Sequence, residues 1–233
     1  REPAGVPRGR RGVVGHGQVG SRVAARARAL GMRVLVNDPP LARRTGDPLY
    51  RALDEVLAES DVVSLHCCLT QEGPDATVRL ANEGFFGRMR PGSLFINASR
   101  GEVVDEAALL AALEAGVVRD LVLDVWRDEP SPDPRLLRRS DMASPHIGGY
   151  SVEGKLRGAQ MVYEAACRFL GREPAIDLLG SLPAPEPIGL APGLSGEKPG
   201  RILAEVLRGV YDIESETRAM KALAGLPPSE RAR

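Results

Sequence analysis

Val13-Val14-Gly15-His16-Gly17-Gln18-Val19-Gly20-Ser21-Arg22-Val23 decides the fold class. A short apolar run, a hexapeptide of the form GxGxxG and the start of a helical pattern follow one another without a gap. In this strand–turn–helix order each glycine has a mechanical role. Gly15 permits a tight turn, Gly17 lets backbone approach a diphosphate, and Gly20 lets helix pack closely on strand. The helix start offers free amides and a partial positive charge to phosphate oxygens. With 26 glycines in the chain, such a hexapeptide can also arise by chance, so its setting carries the weight. Asp38 stands 18 residues beyond Gly20, at the end of a second apolar run. A carboxylate there can take both ribose hydroxyls of an adenosine and repels a 2′-phosphate, which favours NAD over NADP. Arg43 and Arg44 close by leave that preference open, and His16 reads as an incidental occupant of a variable position.

Outward from the loop, short apolar runs alternate with helix-like stretches as far as about residue 170. Strands are expected at Gly12–Val14, Arg33–Asn37, Asp61–Leu65, Ser93–Asn97, Leu121–Val125 and Met142–Ser144. They are rich in Val, Leu and Ile without polar alternation, as suits strands buried on both faces of a parallel sheet. Helices are expected at Val19–Leu30, Leu53–Ala58 and Glu106–Ala115. The last carries its own punctuation: Asp105 as N-cap, a Val104–Leu109 staple and Gly116 as stop. The alternation predicts an α/β fold, a doubly wound parallel sheet of the Rossmann type. Residues 155–170 read as a longer helix, with Leu156, Ala159, Val162, Ala166 and Phe169 forming one apolar stripe. Residues 180–200 are dense in Pro and Gly and read as a linker, followed by an amphipathic stretch at Ile202–Tyr211. Two units are therefore expected: an NAD-binding domain over 1–172, including the long helix, and a linker with a truncated C-terminal domain over 173–233.

Composition narrows the partners. The chain has 233 residues, 43% of them hydrophobic, enough for a sizeable core. Basic and acidic residues balance at 31 each, so no net field favours nucleic acid or an anionic membrane. Cys67, Cys68 and Cys167 form no CxxC pair, and no apolar run is long enough to span a bilayer. A cytoplasmic protein without metal, nucleic-acid partner or membrane association is expected. The chain opens on Arg1 rather than methionine and closes on a polar tail, which reads as a fragment.

Three further segments carry candidate chemistry: Asn97-Ala98-Ser99-Arg100-Gly101, Leu123-Asp124-Val125-Trp126-Arg127-Asp128-Glu129-Pro130 and Ser144-Pro145-His146-Ile147-Gly148-Gly149-Tyr150. Each follows an expected strand, and loops at the carboxyl ends of parallel strands line a ligand crevice. Arg100, Glu129 and His146 can therefore converge. Oxidising a 2-hydroxy acid removes a hydride from carbon and a proton from the hydroxyl. Histidine changes charge near neutral pH and can take that proton. A carboxylate on its other nitrogen fixes the tautomer. An arginine can clamp the substrate carboxylate at two points. Each residue also has a plain structural reading: a satisfied histidine, a turn-capping Glu129, an Arg100 neutralising a carbonyl end.

The glycine loop, the Arg-Gly after a strand ending in Asn-Ala, the Asp-Val-Trp with Glu-Pro behind it, and Pro-His-Ile together resemble the D-isomer-specific 2-hydroxyacid dehydrogenases. The resemblance implies Arg100, Glu129 and His146 as the catalytic set, and Asp124 near the nicotinamide carboxamide. A narrower likeness is to the erythronate-4-phosphate dehydrogenase branch. It is carried by Asp38-Pro39-Pro40, by His146 to Ser151 with Glu153-Gly154-Lys155 and Arg157-Gly158, and by Leu182-Pro183-Ala184-Pro185-Glu186. It extends from about Gly12 to about Leu226. It implies Tyr150 in contact with substrate, Gln18, Val19 and Gly149 lining the NAD site, and a small phosphorylated 2-hydroxy acid as substrate. It also implies a homodimer when full-length. Where the pattern has Thr-Pro, this chain has Cys67-Cys68; Cys67 still presents a small group to the cofactor, though a thiol is the weaker partner. Arg127-Asp128 replaces an expected Glu-Gly. The family also has part of a substrate domain before the glycine loop and a longer C-terminal dimerisation domain. Three alternatives stay open: another 2-hydroxyacid dehydrogenase, for phosphoglycerate, glyoxylate or lactate; a non-catalytic NAD-binding module; and a truncated chain that binds NAD but turns nothing over.

Overall fold

The computed structural model describes residues 9–183, 199–227 and 230. Six strands form one parallel sheet: β1 (Arg10–Val14), β2 (Arg33–Asn37), β3 (Val62–Leu65), β4 (Ser93–Asn97), β5 (Val118–Leu123) and β6 (Met142–Ala143). Their spatial order is β2-β1-β3-β4-β5-β6, so the winding reverses between β1 and β3. At such a switch point the crossover connections leave in opposite directions and open a crevice beyond the strand ends. Arg11 lies beside Val34 of β2 on one side and Val62 of β3 on the other. The GxGxxG loop thus leaves β1 at the middle of that crevice.

The helices of the described residues are α1 (Gln18–Ala29), α2 (Pro39–Thr45), α3 (Leu53–Glu59), α4 (Glu83–Arg88), α5 (Glu106–Glu114), α6 (Pro134–Arg139), α7 (Val152–Phe169), α8 (Pro199–Val210) and α9 (Ile213–Leu223), of which α1, α3, α5 and α9 pack directly on strands. The core is a sheet-wide layer in which Phe95, Leu57, Leu65, Leu109, Leu121 and Leu136 are fully buried. Phe95 is flanked edge-on by Phe85 and Phe86 at 6.1 and 5.2 Å between ring centroids. Asp105 caps α5 by accepting from the amides of Ala107 and Ala108. Val104 and Leu109 are both buried, as a hydrophobic staple requires.

Several elements differ from expectation for identifiable reasons. β5 starts at Val118 and ends at Leu123, because Arg119 and Asp120 mask its opening and Asp124 is drawn into the loop beyond. α2 was not expected, although Asp38 accepting from the Leu41 amide, with prolines in the first turn, is a helix start. α4 hides behind Gly84 and Gly87; Asn82 caps it, and burial of Phe85 and Phe86 drives it. In α7 the apolar stripe does not face the sheet. Val162 and Phe169 are 72% and 89% exposed, while the inward positions are Gln160 and Cys167. The Gln160 amide donates to the carbonyl of Ile176 and accepts from the amide of Leu178, strapping the following segment to the helix.

The last helix returns to the sheet. Met220 and Ala224 join the main core. Thr217 Oγ1 accepts from the Ala143 amide at 3.1 Å and donates to the Ile213 carbonyl at 2.8 Å, so α9 covers the free side of β6. The Ala184-Pro185-Glu186 part of the narrower sequence likeness lies outside the described residues, as does most of the expected linker.

Candidate active site

The glycine turn is built as the sequence reading requires. Gly15 has φ +89°, and a Cβ there would lie 2.6 Å from the amide nitrogen of Cys67. A Cβ on Gly20 would lie 1.9 Å from the Gly15 carbonyl oxygen, whereas one on Gly17 would meet nothing within 4 Å. Gly15 and Gly20 therefore serve packing, and Gly17 serves an approach from outside. Gly17 caps α1 with no side-chain hydrogen bond, and no acidic residue occupies the first turn. The leading amides of a 12-residue helix, on Gln18, Val19 and Gly20, are left for an anion. This arrangement fits the diphosphate of a dinucleotide.

Asp38 lies against that turn. Its Oδ2 accepts from the His16 amide at 2.8 Å and its Oδ1 from the Leu41 amide at 3.0 Å, which fixes the carboxylate in one orientation. Arg43 is engaged with Asp75. Cys67 follows β3 and presses its backbone on Gly15. Burial pushes its thiol up to about 11, with Ser99 opposing as a hydrogen-bond partner, so the group is a neutral thiol rather than a nucleophile.

His66, beside it, is pushed down to about 4, first by burial and then by the nearby Arg11 guanidinium. The ordinary value is 6.5, so an unfolded chain binds a proton in this window that the folded chain refuses. Stability therefore declines as pH falls from 6.5 towards about 4 and levels off below. After allowance for partial exposure the loss is on the order of 2 kcal/mol. Urea midpoints measured across that range check it, and His66→Gln flattens the decline.

On the other side of the crevice the second and third segments meet. His146 Nδ1 lies 2.8 Å from Glu129 Oε2. The other oxygen of Glu129 accepts from the Trp126 amide at 2.9 Å, so the carboxylate is held at both ends. His146 has φ +58°, the left-handed region that costs a side-chain-bearing residue about 1 kcal/mol or more. Asp124 stabilises that turn: Oδ1 accepts from Ser144 Oγ and the Ile147 amide, and Oδ2 from the Gly148 amide. Asp124 thus has a defined structural task whatever else it touches. Trp126 Nε1 donates to the Ser144 carbonyl and ties the two loops together.

Arg100 follows β4 on the same rim. A Cβ on Gly101 would lie 2.0 Å from the Trp126 carbonyl carbon, so the Arg100 loop presses directly on the one carrying Glu129. The Arg100 guanidinium donates to the Ser99 carbonyl at 2.6 Å, and no hydrogen bond joins it to the histidine–glutamate couple. Gly149 and Tyr150 are exposed at the mouth. The Lys155 ammonium sits 3.5 Å from the Tyr150 ring centroid and lowers the pKa of its hydroxyl, chiefly through a hydrogen bond. Gln18 and Val19 are exposed at the helix start. Sequence reading missed Ser144, Trp126 and Lys155 as supports, although Ser144 and Trp126 lie inside the segments quoted. Among the described residues no cluster of three or more His, Cys, Asp or Glu side chains is placed to hold a metal, and no helix is long and apolar enough to cross a membrane.

This geometry has counterparts among known proteins. Residues 4–148 match the D-isomer specific 2-hydroxyacid dehydrogenase, NAD binding domain. Erythronate-4-phosphate dehydrogenases of Cronobacter sakazakii and Citrobacter koseri are 44% and 43% identical over 216 residues, 93% of this chain. The chain spans 57% of the length of those relatives. A glyoxylate reductase from Paecilomyes thermophila superposes with TM-score 0.61 at 34% identity, covering 72% of this chain and 52% of that one. D-Lactate dehydrogenase from Aquifex aeolicus, complexed with NAD and lactic acid, gives 0.57 at 30% identity, covering 72% of this chain and 55% of that one. The chain belongs to the D-isomer specific 2-hydroxyacid dehydrogenase family and carries its NAD-binding domain.

Proposed function

We propose that the chain is the cofactor-binding and proton-transferring part of an NAD-dependent dehydrogenase. The enzyme oxidises 4-phospho-D-erythronate to 2-oxo-3-hydroxy-4-phosphobutanoate in vitamin B6 biosynthesis. The observation that carries this reading is the His146–Glu129 hydrogen bond beyond the carboxyl ends of β5 and β6. Bound NAD supplies the hydride acceptor. Glu129, anchored by the Trp126 amide, accepts a hydrogen bond from Nδ1–H of His146 and so leaves Nε2 free to take the substrate hydroxyl proton. Glu129 then stabilises the imidazolium that results. Arg100 exchanges its contact with the Ser99 carbonyl for the two oxygens of the substrate carboxylate. Asp38 takes the adenosine ribose hydroxyls, Gly17, Gln18, Val19 and Gly20 hold the diphosphate on the turn that Gly15 shapes, and Asp124, Gly149 and Cys67 line the rest of the cofactor. Tyr150 contacts the substrate.

The phosphorylated substrate is favoured because the named relatives at 44% and 43% identity are erythronate-4-phosphate dehydrogenases, against 34% and 30% for the glyoxylate and lactate enzymes. We propose further that the full-length protein is a cytoplasmic homodimer; the outward apolar face of α7 supports an additional packing partner. Assay of the full-length protein tests the substrate. NADH should form with 4-phospho-D-erythronate at a kcat/KM at least about tenfold above that with 3-phosphoglycerate, glycolate or lactate, a margin of ~1.4 kcal/mol. Preference for one of those three would reassign it.

A further inference from the structure

His16, at a position the motif leaves free, belongs to a closed circuit. Its amide donates to Asp38 Oδ2 at 2.8 Å, and its ring nitrogen Nδ1 lies 3.3 Å from the Tyr50 hydroxyl. The two rings meet edge to face, 5.7 Å between centroids. Tyr50 is itself pinned to the sheet. It forms a single parallel bridge with Val36, where a further strand beyond β2 would run. The Arg51 amide donates to the Val36 carbonyl at 2.8 Å, and Asn37 Nδ2 donates to the Arg51 carbonyl at 2.8 Å. Asn37 also accepts, through its carbonyl, from the Gly15 amide at 2.8 Å. The path runs from the glycine turn to Asn37 and Asp38, to Tyr50 and Arg51, and back through the His16 ring to the turn.

We propose that Tyr50 is a positioning residue for the NAD site, bracing the glycine turn through His16. The turn is the part of the chain whose bare amides must face the diphosphate, and its glycines give it freedom that must be removed before binding. The Asn37 carbonyl and the Asp38 carboxylate hold the turn from its β2 side by accepting from the Gly15 and His16 amides. The His16–Tyr50 contact adds a side-chain tie to a second, separately anchored segment. Neither residue needs to touch cofactor for the tie to lower the ordering cost of binding.

The proposal rests on NAD binding by this chain, so wild-type affinity is the control. NADH titrations of Tyr50→Phe and His16→Ala should each give a Kd raised about fivefold, the effect of losing one neutral hydrogen bond. The double variant should be no worse than either single. His16→Asn, whose amide can stand where Nδ1 stands, should bind within about twofold of wild type, because the same hydrogen bond is kept. Urea midpoints should shift only slightly and not in proportion to the Kd values. Singles without effect, effects that multiply in the double variant, failure of the asparagine rescue, or Kd changes that track the midpoints would each overturn it. A wild-type chain that fails to bind NADH would sink the cofactor reading together with this one.

Discussion

On the proposed function, His146→Ala in the full-length protein should lower kcat for 4-phospho-D-erythronate by about 10²- to 10⁴-fold, the range of a lost general base, and leave NADH affinity within about twofold, because the cofactor contacts are untouched. The argument is geometric. The imidazole has one nitrogen on Glu129 at 2.8 Å and the other unbonded among the described residues, and the carboxylate is fixed by a main-chain amide. Glu129→Gln keeps the size of that partner but removes the charge that stabilises the imidazolium, so its loss should fall between wild type and His146→Ala. Steady-state kinetics with a separate NADH titration divides the two quantities. Activity of His146→Ala within tenfold of wild type would remove the base from the mechanism, whatever the fold.

Gly20→Ala should abolish measurable NADH binding, a rise in Kd of at least about 100-fold, and cost ~2–3 kcal/mol of stability through overpacking. The added methyl would sit 1.9 Å from the Gly15 carbonyl oxygen, and 3.3 Å from the His66 Cβ behind it. Both neighbours are held in place, so the start of α1 must move away from β1 and its leading amides with it. Gly17→Ala is the contrasting case. Its methyl meets nothing within 4 Å, so unfolding should shift by no more than about 1 kcal/mol, the cost of alanine as N-cap. NADH affinity should nonetheless fall by about tenfold or more, because the methyl occupies the side from which a diphosphate comes within contact of the amides. Paired urea and NADH titrations distinguish packing glycine from approach glycine. Equal behaviour of the two variants would show that the loop does not meet the cofactor as described.

The sheet was legible from the sequence because its strands are apolar runs between turn signals, and parallel strands buried on both faces write themselves that way. The glycine turn, Asp38 and the three rim segments could be read because their chemistry is local to a few consecutive residues. What could not be read depends on partners distant in sequence. α9 follows directly on α8, and nothing in Ile213–Leu223 announces that Thr217 will serve the amide of Ala143. α4 is a poor helix by propensity and forms because two phenylalanines gain burial beside Phe95. The α7 stripe was legible as a pattern but not as an orientation, since Gln160 takes the inward position through bonds to backbone that folds against it. His16 was passed over because its value lies in Tyr50, 34 residues on.

The Thr217 contact also bears on how the chain is made. β6 and the threonine that satisfies its outer amide are 74 residues apart. At a synthesis rate of about 5–20 residues per second, a nascent chain waits roughly 4–15 s between the two. During that interval β6 presents an unsatisfied rim to any other unfinished polypeptide. A ribosome-bound intermediate ending shortly after α7 should therefore be a preferred client of chaperones, and release from them should coincide with emergence of α9.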